Sequence, residues 1–346
     1  MHHRGPKLVR SVALAALTLG LLASCSGGSS DGGSKGATTS AAPDGSTTAA
    51  GSSSNGDGGE FSLLSYNVAG LPQEISKEHP EVNIPKISPL LEPYDVVLTQ
   101  EDFDWWKPGG LAAGTDFVHY HERLRADVTH EFRTEQHPGP EAVGIDIEAD
   151  RPNMELGDGL GVLSRLPLGE VTRVPWTECY GEYTEGASDC LAMKGFLMTT
   201  IELDSGLTVD LYDLHGEAGG SEQDQALQVK DYQQLAAYIV EHSEGHAVIV
   251  AGDTNLHTDL EHEDGANGQD VEIWDTFLEA TGLTDSCAAT DCADPGRIDK
   301  VAFRSNDDVE LTASSYRFRN DLFVDDDGND LSDHQPLEVV FAWAPR

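Results

Sequence analysis

The chain has 346 residues, 38% of them hydrophobic and 24% charged, an ordinary globular composition. Its formal charge is −40, from 61 acidic against 21 basic residues. Such a field repels polyanions and weighs against nucleic acid as a natural partner, except where a bound divalent cation inverts the local sign.

The first segment reads as a signal. "MHHRGPKLVR" carries three positive charges and no negative ones, and "SVALAALTLGLLA" is an apolar run too short to span a bilayer. Without those three charges the net is −43. The run ends in "LASC", Leu22 to Cys25, which resembles a bacterial lipobox. That resemblance implies a signal peptide over 1–24, lipid on the Cys25 thiol and export as a cell-surface lipoprotein. An ordinary signal peptide with an incidental cysteine is the alternative. Of residues 26–59, 28 are Gly, Ser, Thr or Ala. Such a stretch cannot offset its ordering entropy, so 25–59 is expected to be a tether with a reach of roughly 30 Å.

Residues 60–346 show no second low-complexity break and no repeat, which points to one domain. Cys179, Cys190, Cys287 and Cys292 are an even set in an exported chain, which favours disulfides. Proximity favours Cys179–Cys190 and Cys287–Cys292.

In chain order, "FSLLSYNVAGL", "YDVVLTQE", "GLGVLSR", "FLMTTIEL", "LTVDLYDLH", "HAVIVAGDT", "RIDKVAF", "VELTASSYRF" and "PLEVVFAW" read as strands. A helix is expected over 221–243, with Ala226, Val229, Leu235, Ala236, Ile239 and Val240 as its apolar stripe and Ser221 as N-cap. A second helix is expected over "VEIWDTFLEATGL", stopped by Gly282. Strands outnumber helices, as in stacked sheets with helices outside.

Polar groups recur where these strands end: Asn67, Glu101, His215, Asp253, Asn255, Asp299, Asp333 and His334. Unpartnered burial of such groups is costly, so converging loops would make them line one pocket. Any one alone reads more simply as a turn former.

The ordered series "SYN", "QE", "DLH", "GDTN", "RID" and "SDHQP" resembles the endonuclease/exonuclease/phosphatase superfamily over most of residues 61–341. The resemblance implies an α/β fold, a four-layer sandwich of two packed, mainly antiparallel sheets flanked by helices. It also implies a phosphodiesterase dependent on Mg²⁺ or another divalent cation such as Mn²⁺. By this resemblance Glu101 is the principal metal ligand, with Asn67 as ligand or phosphate donor and Asp333 near the metal. His334 becomes the general base, Asp299 its orienting partner, and Asp253 the aligner of water. Asn255 would hold a phosphate oxygen, and His215 would meet the developing charge. Two positions depart from the family pattern. Lys300 follows "RID" where an aromatic residue or histidine is frequent, and Asp213-Leu214-His215 replaces Asn-Thr-His.

Other signals carry less. "VDDDGND" fails the calcium-loop spacing and reads as a solvated acidic turn. "HYH" would place His119 and His121 on one strand face. His257 and His262 read as surface residues. Trp105 and Trp106 follow Glu101 closely, and as rim residues they would enter a lipid headgroup layer or box a choline cation. Core packing is the plainer reading of at least one of them.

The expected substrate is a phosphoester, foremost a phospholipid headgroup cleaved in sphingomyelinase fashion, with a membrane reached through the lipid anchor and no obligate protein partner evident. An extracellular nuclease or small phosphate-ester phosphatase is the enzymatic alternative, and a non-catalytic surface binding protein the other.

Overall fold

The computed structural model describes residues 58–346 apart from 74–75, 104–119, 183–185 and 260–267. Its strands are β1 (Gly59–Asn67), β2 (Val96–Gln100), β3 (Phe132–Arg133), β4 (Gly161–Ser164), β5 (Thr172–Pro175), β6 (Gly195–Glu202), β7 (Thr208–His215), β8 (Ala247–Asp253), β9 (Thr284–Asp285), β10 (Asp299–Arg304), β11 (Val309–Phe318) and β12 (Leu337–Pro345). Its helices are α1 (Pro80–Leu91), α2 (Tyr120–Leu124), α3 (Ile147–Asp150), α4 (Glu222–His242), α5 (Gly268–Thr281) and α6 (Ser286–Thr290).

Period-two alternation decides the layers. In β2, Val96 and Leu98 face one core while Val97 faces another. In β8, Ala247, Ile249 and Ala251 enter the first core, and Val248 and Val250 turn to a third. Strands apolar on both faces must be covered on both. The first core lies between two six-stranded sheets, ordered β11-β12-β1-β2-β4-β3 and β5-β6-β7-β8-β10-β9. The second core holds Ile84, Ile87 and Leu91 of α1, and the third holds Leu235 and Ile239 of α4 with Phe277 of α5. The result is the expected four-layer α/β sandwich.

Most strand pairs are antiparallel, but β1 pairs with β2, and β7 with β8, in parallel. Parallel neighbours need a crossover, supplied through α1 in the first case and α4 in the second. Each sheet therefore contains one βαβ unit.

Helix α4 begins as expected. Ser221 Oγ accepts from the Asp224 amide at 3.2 Å, and Asp224 Oδ2 accepts from the Ser221 amide at 2.9 Å. Its buried stripe is corrected: Leu227 and Tyr232 are inside, whereas Ala226 is exposed and Val229 half-buried. Val240 is 52% exposed. The buried side also carries Asp224, Gln228 and Asp231, which a search for apolar residues passes over. Gly282, at φ +67°, ends α5 as expected.

Both expected disulfides are formed, Cys179–Cys190 and Cys287–Cys292. Tyr120 and His121 lie in α2 rather than on a strand, and His121 Nδ1 meets Asp102 Oδ2 at 2.9 Å. Residues 324–330 form an acidic turn in which Asp325 Oδ1 accepts from the Asp327 and Asn329 amides, both at 2.9 Å.

Candidate active site

The two βαβ units place their strand ends on one rim. Asn67 closes β1, Glu101 follows β2, His215 closes β7 and Asp253 closes β8. Asn67 stands in register with Gln100, and His215 with Asp253. Antiparallel neighbours start where these strands stop, so Asp299, first in β10, pairs with Asp253. His334 lies just before β12, which runs antiparallel to β1.

Close backbone packing fixes these ends. Glu101 has a left-handed φ of +56°, and its carbonyl accepts from the Gly70 amide at 3.1 Å. A Cβ on Gly70 would fall 2.2 Å from that oxygen, so only glycine fits.

Polar contacts cross from sheet to sheet. Asn67 Nδ2 donates to Glu101 Oε1 at 2.9 Å and to Asp253 Oδ2 at 3.0 Å. The same Asp253 oxygen lies 3.3 Å from His215 Nε2 and 3.5 Å from His334 Nε2. The other His334 nitrogen, Nδ1, is 3.1 Å from Asp299 Oδ2. Ser332 Oγ donates to the Asn67 carbonyl at 2.8 Å and accepts from the His334 amide at 3.2 Å, fastening the histidine loop to β1.

Burial tunes the charges. It disfavours charge on Asp253, yet His334 and His215 beside it hold its carboxyl below the usual range. Burial pushes Asp299 up, with His334 opposing. Burial alone would strip the proton from His334, but Asp299 and Asp253 outweigh it and raise its pKa well above the ordinary value.

The structure therefore brings Asn67, Glu101, His215, Asp253, Asp299 and His334 together. Asn255 joins them with its side-chain amide on the Gly216 carbonyl at 3.1 Å. Asp333 is exposed and lines, with Asp299, His334 and Arg297, an adjoining cleft of about 180 Å³. His257 lines the same cleft. Cys25, Trp105, Trp106, His119 and His262 lie outside the described residues. Ser332 was visible in "SDHQP", but a serine at a turn carries no chemical signal of its own. Lys194 escaped notice: it is buried, donates to the Gly216 carbonyl at 3.2 Å and pairs with Asp189.

The donor set suits a hard divalent cation. Among the described residues, ligand atoms of Asp253, Asp299 and His334 lie within 4.8 Å of one another, and Glu101 adds a carboxylate tied to that cluster through Asn67. His334 is engaged by two carboxylates, Asp253 and Asp299, whereas Glu101 presents a hard oxygen donor of the kind divalent cations take.

The family model described as Endonuclease/Exonuclease/phosphatase family matches residues 64–334. Sphingomyelinases of Mycobacterium bovis and Mycobacterium tuberculosis are 30% identical over 301 residues, covering 82% of this chain and 53% of theirs. The chain thus spans about half the length of these relatives. Sphingomyelinase C from Streptomyces griseocarneus superposes with a TM-score of 0.53 at 18% identity, covering 83% of this chain and 99% of that one. A substituted beta toxin from Staphylococcus aureus with bound magnesium ions gives a TM-score of 0.52 at 16% identity, covering 83% and 100%.

Proposed function

The chain belongs to the endonuclease/exonuclease/phosphatase family, and from that premise we propose that it is a divalent-metal phosphodiesterase that cleaves a phospholipid headgroup by attack of water. The observation that carries this reading is the cross-sheet chain Glu101–Asn67–Asp253–His334–Asp299, which gathers oxygen ligands and an oriented imidazole at one rim.

Phosphodiesters repel nucleophiles, so a catalyst must neutralise phosphoryl oxygens, activate water and support the leaving oxygen. A divalent cation held by Glu101, Asn67 and Asp333 would supply the first and draw His334 toward its neutral, proton-accepting form. His334 Nε2 takes the proton of water while Asp299 fixes the ring through Nδ1 and stabilises the imidazolium. Asp253 Oδ2, 3.5 Å from that Nε2, stands where it can orient the water. His215 donates toward developing charge, and Asn255 faces a phosphate oxygen with its second amide hydrogen. Resemblance to mycobacterial sphingomyelinases favours a sphingomyelin-like lipid. Export, the lipid anchor at Cys25, the 25–59 tether and a membrane-facing Trp105/Trp106 rim complete the proposal, which agrees with the two disulfides. Among the described residues no helix is long and apolar enough to cross a membrane.

The test is a panel of sphingomyelin vesicles, supercoiled plasmid and a small phosphate monoester, each with and without chelator. We expect chelator-sensitive release of phosphocholine. Plasmid nicking without lipid turnover would replace the substrate, and no turnover of any phosphoester under Mg²⁺ or Mn²⁺ would overturn the enzyme.

A further inference from the structure

Two positions break the apolar rule of the central core. On β2 the inward row runs Val96, Leu98, Gln100, and on β7 it runs Val209, Leu211, Asp213. Gln100 and Asp213 are both fully buried and face each other across the sheets, with Gln100 Nε2 donating to Asp213 Oδ1 at 2.6 Å. Among the described residues each side chain keeps one oxygen without a well-formed hydrogen bond: Gln100 Oε1 and Asp213 Oδ2. Two acceptors cannot satisfy each other, but a single proton between them can.

We infer that Asp213 is a neutral carboxylic acid in the folded protein, its Oδ2–H donating to Gln100 Oε1 and closing a two-hydrogen-bond pair that ties the sheets beneath the site. Among the described residues the cation near the carboxyl, Arg173, is engaged elsewhere. The charged groups that face it are Asp158 and Arg173, and Arg173 Nη1 is already spent on both Asp158 oxygens, at 2.7 and 2.6 Å. Other neighbours of the pair include Ser65 Oγ, 3.3 Å from Gln100 Nε2, and the flanking strand partners Leu197 and Ala251, while the Gly161 amide, like Gln100 Nε2, donates toward the carboxyl and favours its charged form. Burial, the dominant influence, and Asp158 both raise this carboxyl well above its ordinary value.

Gln100 immediately precedes Glu101, and Asp213 lies two residues before His215. The pair is thus a positioning device for the strand ends that carry those groups, a role resting on the proposed reaction, whereas the protonation state does not. An Asn at 213 would preserve both hydrogen bonds without needing a proton.

The experiment compares wild type with Asp213→Asn and Asp213→Leu. At neutral pH an infrared difference spectrum of wild type minus Asp213→Asn should show the carbonyl stretch of a buried protonated acid. Above the ordinary carboxyl range near pH ~4, the unfolding constant of wild type relative to Asp213→Asn should rise by about tenfold per pH unit until the folded acid itself ionises. Asp213→Asn should retain kcat, and Asp213→Leu should lose at least about tenfold in kcat with KM little changed, as expected when only the transition state is misaligned. Absence of the acid band, or a stability difference flat with pH, overturns the protonation. Equal kcat in all three overturns the positioning role. Both physical readouts survive if Asp213→Leu does not fold. If no variant turns over any phosphoester while the band and the pH trend are present, the proposed reaction has failed and this inference has not.

Discussion

Asp253 Oδ2 receives Asn67 from one sheet and His215 from its own, and stands opposite His334 on the loop before β12. One carboxylate oxygen thus sees a fixed amide and two imidazoles, which explains why it stays ionised although buried. On the α4 side, equally buried, lies the opposite case. Burial and the charge of Asp189 push Glu217 up to about 9 and Asp231 up to about 8. Folded, each keeps a proton that the unfolded chain releases near its ordinary value of 4.5 or 3.8. Their stabilising contribution is therefore full below those values and is lost as pH rises toward 8–9. Urea midpoints measured between pH 5 and pH 9 should fall with pH, and Glu217→Gln should flatten that slope. An unchanged slope in the variant would reassign the effect to other groups.

At the scale of elements, α4 carries a reciprocal cap and spans the crossover that sets β7 beside β8. Ser221→Ala should cost about 1 kcal/mol in chemical denaturation, with activity per folded molecule unchanged; a cost near zero would mean that water replaces the cap. Elements such as α4 and β8 were legible because strong periodicity or a continuous apolar run survives in one dimension. Helix α1 was not, since Pro85 and Pro89 inside it argue against a helix locally, while Ile84, Ile87 and Leu91 are held by the core they enter. The two-residue strands β3 and β9 and the four-residue β5 also went unread, being too short to show alternation. The site was legible as a set of residue types at strand ends. Its wiring was not, because hydrogen bonds such as Asn67 to Asp253 join residues 186 apart in sequence.

Across the whole molecule, the site belongs to neither sheet. Asn67, Glu101 and His334 come from one, and His215, Asp253 and Asp299 from the other. The sheets meet through the apolar layer of Phe61, Leu98, Leu211 and Ile249, and at the rim through the polar bonds described above. Packing fixes the separation that the proposed chemistry requires, and the carboxylates of Glu101, Asp253 and Asp299 give that rim an acidic character.

If two sheets build one catalytic centre, a base from the first and its partner from the second must act as a unit. The direct measurement is a double-mutant cycle in kcat/KM between His334→Ala and Asp299→Asn. We predict that His334→Ala alone loses roughly 10²–10⁴-fold, and that adding Asp299→Asn changes the residual rate by less than about threefold. Losses that multiply, with the double variant falling by the product of the two single effects, would contradict the account.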